Sequence, residues 1–252
     1  ERYGIEMLQR IMIDERSYLQ NITVWENFSD NSVNTLDTSG VANNIISIKN
    51  LQQRSLSFRL HIDKKDNPLF PKKGYLLDFY FKSTGYLLGG ERDYYKLDFS
   101  FQKYFMLSEN SVMASRFKLG RLWSWEDSYF DYSYEKFYLG GSANMRGWDI
   151  LKYSATNNLV DVPLGGTYRF LTNIEFRNQL NQNLGMYLFF DGGILSEDFD
   201  KLIKSRLGWD VGLGFTISTP LGPVRLDYAI PNINDEVRLE NGKFNFGVQY
   251  LF

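Results

Sequence analysis

The feature that most constrains this chain is alternation. Between 209 and 218, Trp209, Val211, Leu213, Phe215 and Ile217 fall on one side of an extended backbone. Asp210, Gly212, Gly214, Thr216 and Ser218 fall on the other. The same period of two runs through 56–63, 75–82, 95–102, 224–229 and 244–252. A helical face needs a period of 3.6, and no amphipathic helix stands out, so the pattern predicts an all-β chain. It places strands at 2–12, 17–29, 41–49, 53–63, 74–84, 93–106, 111–121, 166–179, 185–192, 207–219, 222–230 and 243–252. The first three carry the weaker pattern.

Two architectures satisfy such alternation. A soluble sandwich buries the apolar face and wets the polar one. A transmembrane barrel turns the apolar face to lipid and keeps the charges in a wet lumen. Here the polar face holds mid-strand charges: Arg59, Lys96, Asp98, Arg169, Glu175, Arg177, Arg225 and Asp227. The apolar face is large and aromatic on nearly every strand, drawing on 20 Phe, 17 Tyr and 5 Trp. Strands of about ten residues match a tilted bilayer crossing. Connections alternate between tight (181–184, 219–222) and long (121–165, 193–207, 231–243), the pattern of short turns on one side of a membrane and long loops on the other. These features favour an antiparallel transmembrane β-barrel with Phe99, Phe101, Leu213 and Phe215 toward acyl chains and Ser100 inward. No run of 18 apolar residues exists to form a membrane helix. The opening Glu1-Arg2-Tyr3 has no apolar signal region, so an intact secretory precursor is not expected.

Composition removes several chemistries. There is no cysteine, which excludes disulfide frameworks, thiolate metal sites and cysteine nucleophiles. His61 is the one histidine, and it lacks a nucleophile or a nucleophile-elbow motif to work with, so a place on the barrel wall is expected. Lys and Arg number 28 against 30 Asp and Glu, which gives no basic excess for nucleic acid. The acidic run 196–200 lacks the spacing of a calcium loop and reads as solvated surface. Gly212 and Gly214 lie within a strand, where they leave room for packing or curvature. No metal, cofactor or catalytic residue is expected.

Four motifs occur in order: DKKDNPLFPKKG (63–74), EKFYLGGSANMRGW (135–148), FFDGG (189–193) and PLGPVRLDYAIP (220–231), followed by a final strand ending FNFGVQYLF. Together, over about 54–252, they resemble the C-terminal barrel of the BamA/TamA superfamily, which includes two-partner-secretion transporters and patatin-linked barrels. The resemblance implies an integral barrel of the Gram-negative outer membrane, with sixteen strands when complete, about twelve of them readable here. It implies a lumenal loop carrying Arg146, Gly147 and Trp148, with Glu175 and Asp191 as the arginine's partners. It also implies a role in inserting or translocating polypeptides through a seam between first and last strands. Expected partners are outer-membrane lipid, client polypeptides, and periplasmic accessory proteins or POTRA domains outside this chain. The alternatives are the membrane anchor of a patatin-like lipase and a passive pore. Residues 1–252 read as one barrel domain, either a fragment or a reduced barrel, with 121–165 folding into the lumen. The last strand resembles an outer-membrane assembly signal, with Phe246, Val248, Tyr250 and Phe252 as one lipid-facing stripe. Gly247 would weaken a seam that must open.

Overall fold

A computed structural model describes residues 2–33, 46–124, 134–153, 165–204, 207–220, 222–233 and 236–252. It is a single antiparallel meander of twelve strands. The strands are β1 (Arg2–Met12), β2 (Tyr18–Val33), β3 (Ile46–Asp63), β4 (Gly74–Thr84), β5 (Tyr94–Met106), β6 (Ser111–Trp123), β7 (Tyr168–Gln179), β8 (Leu184–Ser196), β9 (Gly208–Thr219), β10 (Gly222–Ile233), the two-residue β11 (Glu236–Val237) and β12 (Lys243–Val248). Among the described residues the one α-helix, α1 (Phe199–Lys204), has six residues. Among the described residues no helix is long and apolar enough to cross a membrane.

The count of twelve agrees with the sequence reading, but its division differs. The strand expected at 41–49 has residues 41–45 outside the described set, and 46–49 are continuous with 53–63 in the eighteen-residue β3. The apparent break arises because Gln52 and Arg54, on the outward phase, are polar. The twelfth place is taken by β11, which pairs with β10 at Asn232 and Ile233.

Each strand has the expected two faces. Leu188, Leu213, Phe215, Ile217 and Leu226 are exposed outward. Glu175, Arg177, Asp191, Arg225 and Asp227 are buried inward. The sheet runs in chain order from β1 to β10, and β12 lies beyond β10. Among the described residues β1 is paired with β2 alone and β12 with β10 alone.

The turn 64–73 shows how a motif becomes local structure. Asp66 Oδ1 accepts the main-chain N–H groups of Asn67, Lys72 and Lys73, and Asn67 Oδ1 accepts those of Leu69 and Phe70. These side chains satisfy backbone donors that a long turn would otherwise leave open. Gly74 closes the turn at φ +102°, where a Cβ would lie 2.0 Å from the Lys64 carbonyl oxygen.

Candidate functional site

The long connection between β6 and β7 lies against the inner face. Its tip is built by local sequence. Gly140 and Gly141 adopt φ of +103° and +100°. Asn144 Oδ1 accepts the N–H groups of Gly140 and Met145 at 2.7 and 2.8 Å. Gly141 N–H is directed at the carbonyl oxygens of Met145 (3.0 Å) and Trp148 (2.9 Å). This tight fold aims Arg146 at the wall while Trp148 packs edge-on to Tyr153, 5.0 Å between ring centroids. Trp148, Tyr153, Leu139 and Met145 form a buried cluster with wall residues Tyr94, Leu122, Leu171 and Leu195. Residues 125–133 and 154–164 of the loop lie outside the described residues.

Arg146 is 0% exposed. Its Nε and Nη2 donate to the two oxygens of Asp191 at 2.8 Å each, a fork-to-fork pair. Its Nη1 donates to Glu175 Oε1 at 2.6 Å. Its guanidinium plane lies 3.5 Å from the Phe189 ring centroid. The sequence pairing of Arg146 with Asp191 or Glu175 thus has a geometric counterpart in which the arginine reaches both. The carboxylates are held in turn: Asn173 Nδ2 donates to Asp191 at 2.7 Å and Arg177 Nε to Glu175 at 2.8 Å. A buried cation with two anionic partners and an aromatic floor is balanced; the same cation left alone would be costly.

The strand glycines have packing reasons. A Cβ on Gly212 would lie 2.3 Å from the Phe189 ring, and one on Gly214 would lie 2.4 Å from that of Tyr187. The glycines let both rings lie flat along the wall, and Arg146 stacks on the first. Gly147 sits where a Cβ would meet Asp210 at 2.7 Å and Pro231 N at 3.0 Å, so no side chain fits between loop and wall. Gly247, expected to loosen a seam, also makes room for Arg225. A Cβ there would lie 2.6 Å from Arg225 Nε, and that guanidinium donates to the loop oxygen of Ser142 at 2.8 Å.

The terminal residues differ from the expected lipid stripe. Phe244, Phe246 and Val248 are 75, 69 and 58% exposed, but β12 ends at Val248. Gln249 takes φ +71°, and Tyr250 and Phe252 turn to the inner face. Their rings, and the carbonyls of Leu251 and Phe252, meet Arg116 and Arg177, cations that compete with lipid for them.

Sequence reasoning also passed over Glu135, though the residue stood inside a quoted motif. Its carboxylate accepts from Lys82 Nζ at 2.7 Å, Lys96 Nζ at 3.0 Å and Tyr94 Oη at 2.9 Å. The next inward ring, Phe137, lies between Lys96 and Arg169. The loop therefore has an entry anchor on β4–β5 and a tip anchor on β7–β8. Arg116 and Asp210 were also missed as site residues. Their inward phase was legible, but not their neighbours. His61 is a wall residue, bonded to Asp78 at 2.9 Å and stacked on Tyr18. In the acidic run, Glu197 pairs with Lys136 at 2.8 Å.

Comparison with known proteins adds lineage to this geometry. A family model described as the Omp85 superfamily domain matches residues 2–252. Outer membrane protein assembly factor BamA of Nitratidesulfovibrio vulgaris (strain Hildenborough) is 28% identical over 221 residues, which covers 81% of this chain and 27% of that protein. BamA of Neorickettsia risticii (strain Illinois) is 26% identical over 184 residues, covering 69% and 24%. The chain therefore spans about a quarter of the length of these curated relatives. The crystal structure of BamA from Haemophilus ducreyi lacking POTRA domains 1-3 superposes with a TM-score of 0.76 at 17% identity, over 99% of this chain and 54% of that one, a likeness of fold.

Proposed function

Because the chain belongs to the Omp85 superfamily and is an integral β-barrel of the bacterial outer membrane, we propose that it forms the membrane part of a machine that inserts or translocates polypeptides. The seated loop is the observation that carries this reading. A passive pore has no need of a buried Arg146 clamped by Asp191 and Glu175 across its wall. In a translocating barrel, such a clamp sets the position of a strap that divides the lumen. A seam between the first and last strands of the complete barrel would offer main-chain donors and acceptors to a client strand. The mechanism is physical rather than catalytic. The client gains edge pairing, the strap holds the wall during exchange, and no bond is made or broken. Lipid, client polypeptides and periplasmic accessory domains would be its partners.

The test reconstitutes the full-length protein in vesicles and follows protease protection of an added outer-membrane client. Arg146→Ala should leave the protein itself inserted and lower client protection at least tenfold. Cysteine pairs scanned along β12 and the first strand of the complete barrel should give an oxidised barrel that is folded but inactive, with activity restored by reductant. Client insertion equal to wild type in both variants would overturn the proposal.

A further inference from the structure

The outward phase of the sheet is almost free of charge. Across β4 to β10 it carries two charged side chains among the described residues, Lys103 on β5 and Arg121 on β6, and both are cations. Arg121 stands opposite Leu97 on one neighbouring strand and Tyr168 on the other, and shares their outward face. It is exposed, and it makes no hydrogen bond or ion pair among the described residues. Its contacts are aromatic. The guanidinium carbon lies 4.9 Å from the Trp123 ring centroid and 5.5 Å from that of Tyr168. The rings continue to both sides. Trp123 stacks on Tyr95 at 5.4 Å, Tyr95 stacks on Tyr86 at 4.7 Å, and Phe81 lies 5.9 Å from Tyr95. Tyr168 in turn meets Phe199 at 5.9 Å.

The two cations mark levels in the membrane. Lys103 Nζ lies 5.7 Å from the Tyr75 ring centroid and 5.3 Å from that of Phe105. Along β5, Lys103 is separated from Leu97, the partner of Arg121, by about 20 Å of strand, or roughly 15 Å along the membrane normal at the usual tilt. Phe99, Phe101, Phe117, Leu119 and Phe170 fill the outward face between them. Long cationic side chains reach away from such a band, one up and one down, which carries the two heads to the edges of an apolar belt about 25 Å tall. Arg121 lies at the end of the sheet that bears the long β6–β7 connection, the outer end in barrels of this kind. The β4–β5 connection caps the same end. Gly85 and Gly89, at φ +73° and +72°, fold Tyr86–Leu88 into a single turn, Asp93 Oδ1 accepts the Tyr86 N–H, and Leu87 is fully exposed. Because Tyr86 stacks on outward Tyr95, this turn lies on the lipid side of the rim.

We propose that Arg121 and its aromatic panel form a binding site for a phosphate-bearing glycolipid of the outer leaflet, the guanidinium pairing a phosphate and the rings carrying the sugars. The outward phase of β4 to β10 offers Arg121 no carboxylate, so its counter-charge comes from the membrane. At headgroup level the anion at hand is a lipid phosphate, whose oxygens match the planar fork of a guanidinium. Trp123 and Tyr168 flank that plane and exclude water from it. The panel runs from β4 to β7, three strand spacings or roughly 15 Å. That is broad for a glycerophosphate headgroup and suits two linked sugar rings, whose C–H faces pack on aromatic faces. Lys103, at the opposite edge, has two rings beside it and no such panel. The site also backs the seated loop. Leu122, the residue after Arg121, points inward into the cluster of Trp148 and Tyr153, so a bound lipid braces the wall on which the loop rests. The proposal needs an outer-membrane barrel and is independent of what the barrel carries.

The test holds the full-length protein in mild detergent with bisphosphorylated lipid A and measures retained lipid by native mass spectrometry. Wild type should retain it in preference to phosphatidylglycerol at the same concentration. Lipid A stripped of both phosphates should be retained at least fivefold less. Arg121→Gln should lower retention of the bisphosphorylated lipid at least fivefold, and Arg121→Lys, which keeps the charge but loses the fork, should fall between the two. Trp123→Leu keeps an apolar wall without the ring and should lower retention several-fold. Lys103→Gln, at the other leaflet, should retain as much as wild type. Heat-modifiable migration on gels verifies that each variant is folded, and exposed Arg121 can be replaced without disturbing a hydrogen bond among the described residues. Equal retention by wild type and Arg121→Gln, or an equal loss in Lys103→Gln, overturns the site. Phosphatidylglycerol retained as well as lipid A, or lipid A displaced by millimolar inorganic phosphate, overturns the glycolipid as its ligand.

Discussion

Leu171 and Leu8 point to the same side of one sheet, yet the first is 1% exposed and the second 50%. Leu171 lies under the loop, in the cluster of Trp148, Tyr153 and Met145. Leu8 pairs with Ile22, which lines an open cleft together with Glu6, Ser57 and Lys82. The strands around both leucines have the same alternation, so the sheet does not account for the difference. The loop does. Where it is seated, the inner face acquires the density of a core and its charges lose water. Buried charges then need partners, and Asn173, Glu175, Arg177, Asp191 and Arg146 supply one another. Where no loop reaches, the inner face is a wetted wall. Two kinds of energetics follow from one sheet, and substitutions separate them.

The largest effect is expected at the tip anchor. Arg146→Ala leaves two buried carboxylates with one partner fewer, a loss of about 3–5 kcal/mol where water does not enter. Denaturant unfolding in micelles should show it, and the double-mutant cycle with Asp191→Asn should show coupling well above the ~0.3–0.5 kcal/mol of independent sites. A coupling energy of zero for Asp191 and Glu175 alike would make the clamp ornamental. Next comes Leu171→Ala, which opens a cavity beneath the loop and should cost about 2–4 kcal/mol. In Arg146→Ala the penalty should shrink, because a loop that has lifted no longer covers Leu171. A Leu171→Ala cost that is the same in both backgrounds would mean the sheet itself creates the core.

The comparison also explains what the sequence made legible. Strands and faces are local, since two residues suffice to define a phase, and so the polar faces of β7 to β10 could be read directly. Arg146 was found through its motif, and its partners through the same resemblance. What stayed hidden were meetings across the chain. Arg177 and Phe252 are 75 positions apart, and Arg116 and Leu251 are 135 apart. A period of two classes every aromatic in phase as lipid-facing, and so Tyr250 and Phe252 were placed outward. It contains nothing about two cations waiting on two other strands. Gly247 shows the same limit. In sequence it is a missing side chain, and in space it is the room for the Arg225 guanidinium.

At the loop entry the effect is smaller and carries a pH signature. Burial alone would raise the Glu135 carboxyl above its ordinary value of 4.5, but Lys82 and Lys96 overcome this and hold it at about 2. The folded value is depressed, so its contribution is fully present above the unfolded value and is lost as pH falls toward the folded one. Glu135→Gln should therefore cost on the order of 1–3 kcal/mol at pH 7, and wild type and variant should converge between pH 4.5 and pH 2. A gap that is flat across this window would remove charge from the entry anchor.

The smallest effect tests the open side. Leu8→Ala removes as many methyl and methylene groups as Leu171→Ala, but in β1 those groups already touch solvent. Little apolar area returns to water and no cavity forms, so the expected change is within about 0.5 kcal/mol. The pairing of Leu8 with Ile22 is made by the main chain and survives the substitution. The matched measurement is unfolding of both alanine variants under one set of conditions, with the ratio of the two costs as the result. A large ratio places the density of the inner face in the loop. A cost at Leu8 approaching that at Leu171 would mean that something covers the β1–β3 cleft in the intact barrel, and the division into a filled wall and a wetted one would fail on that side.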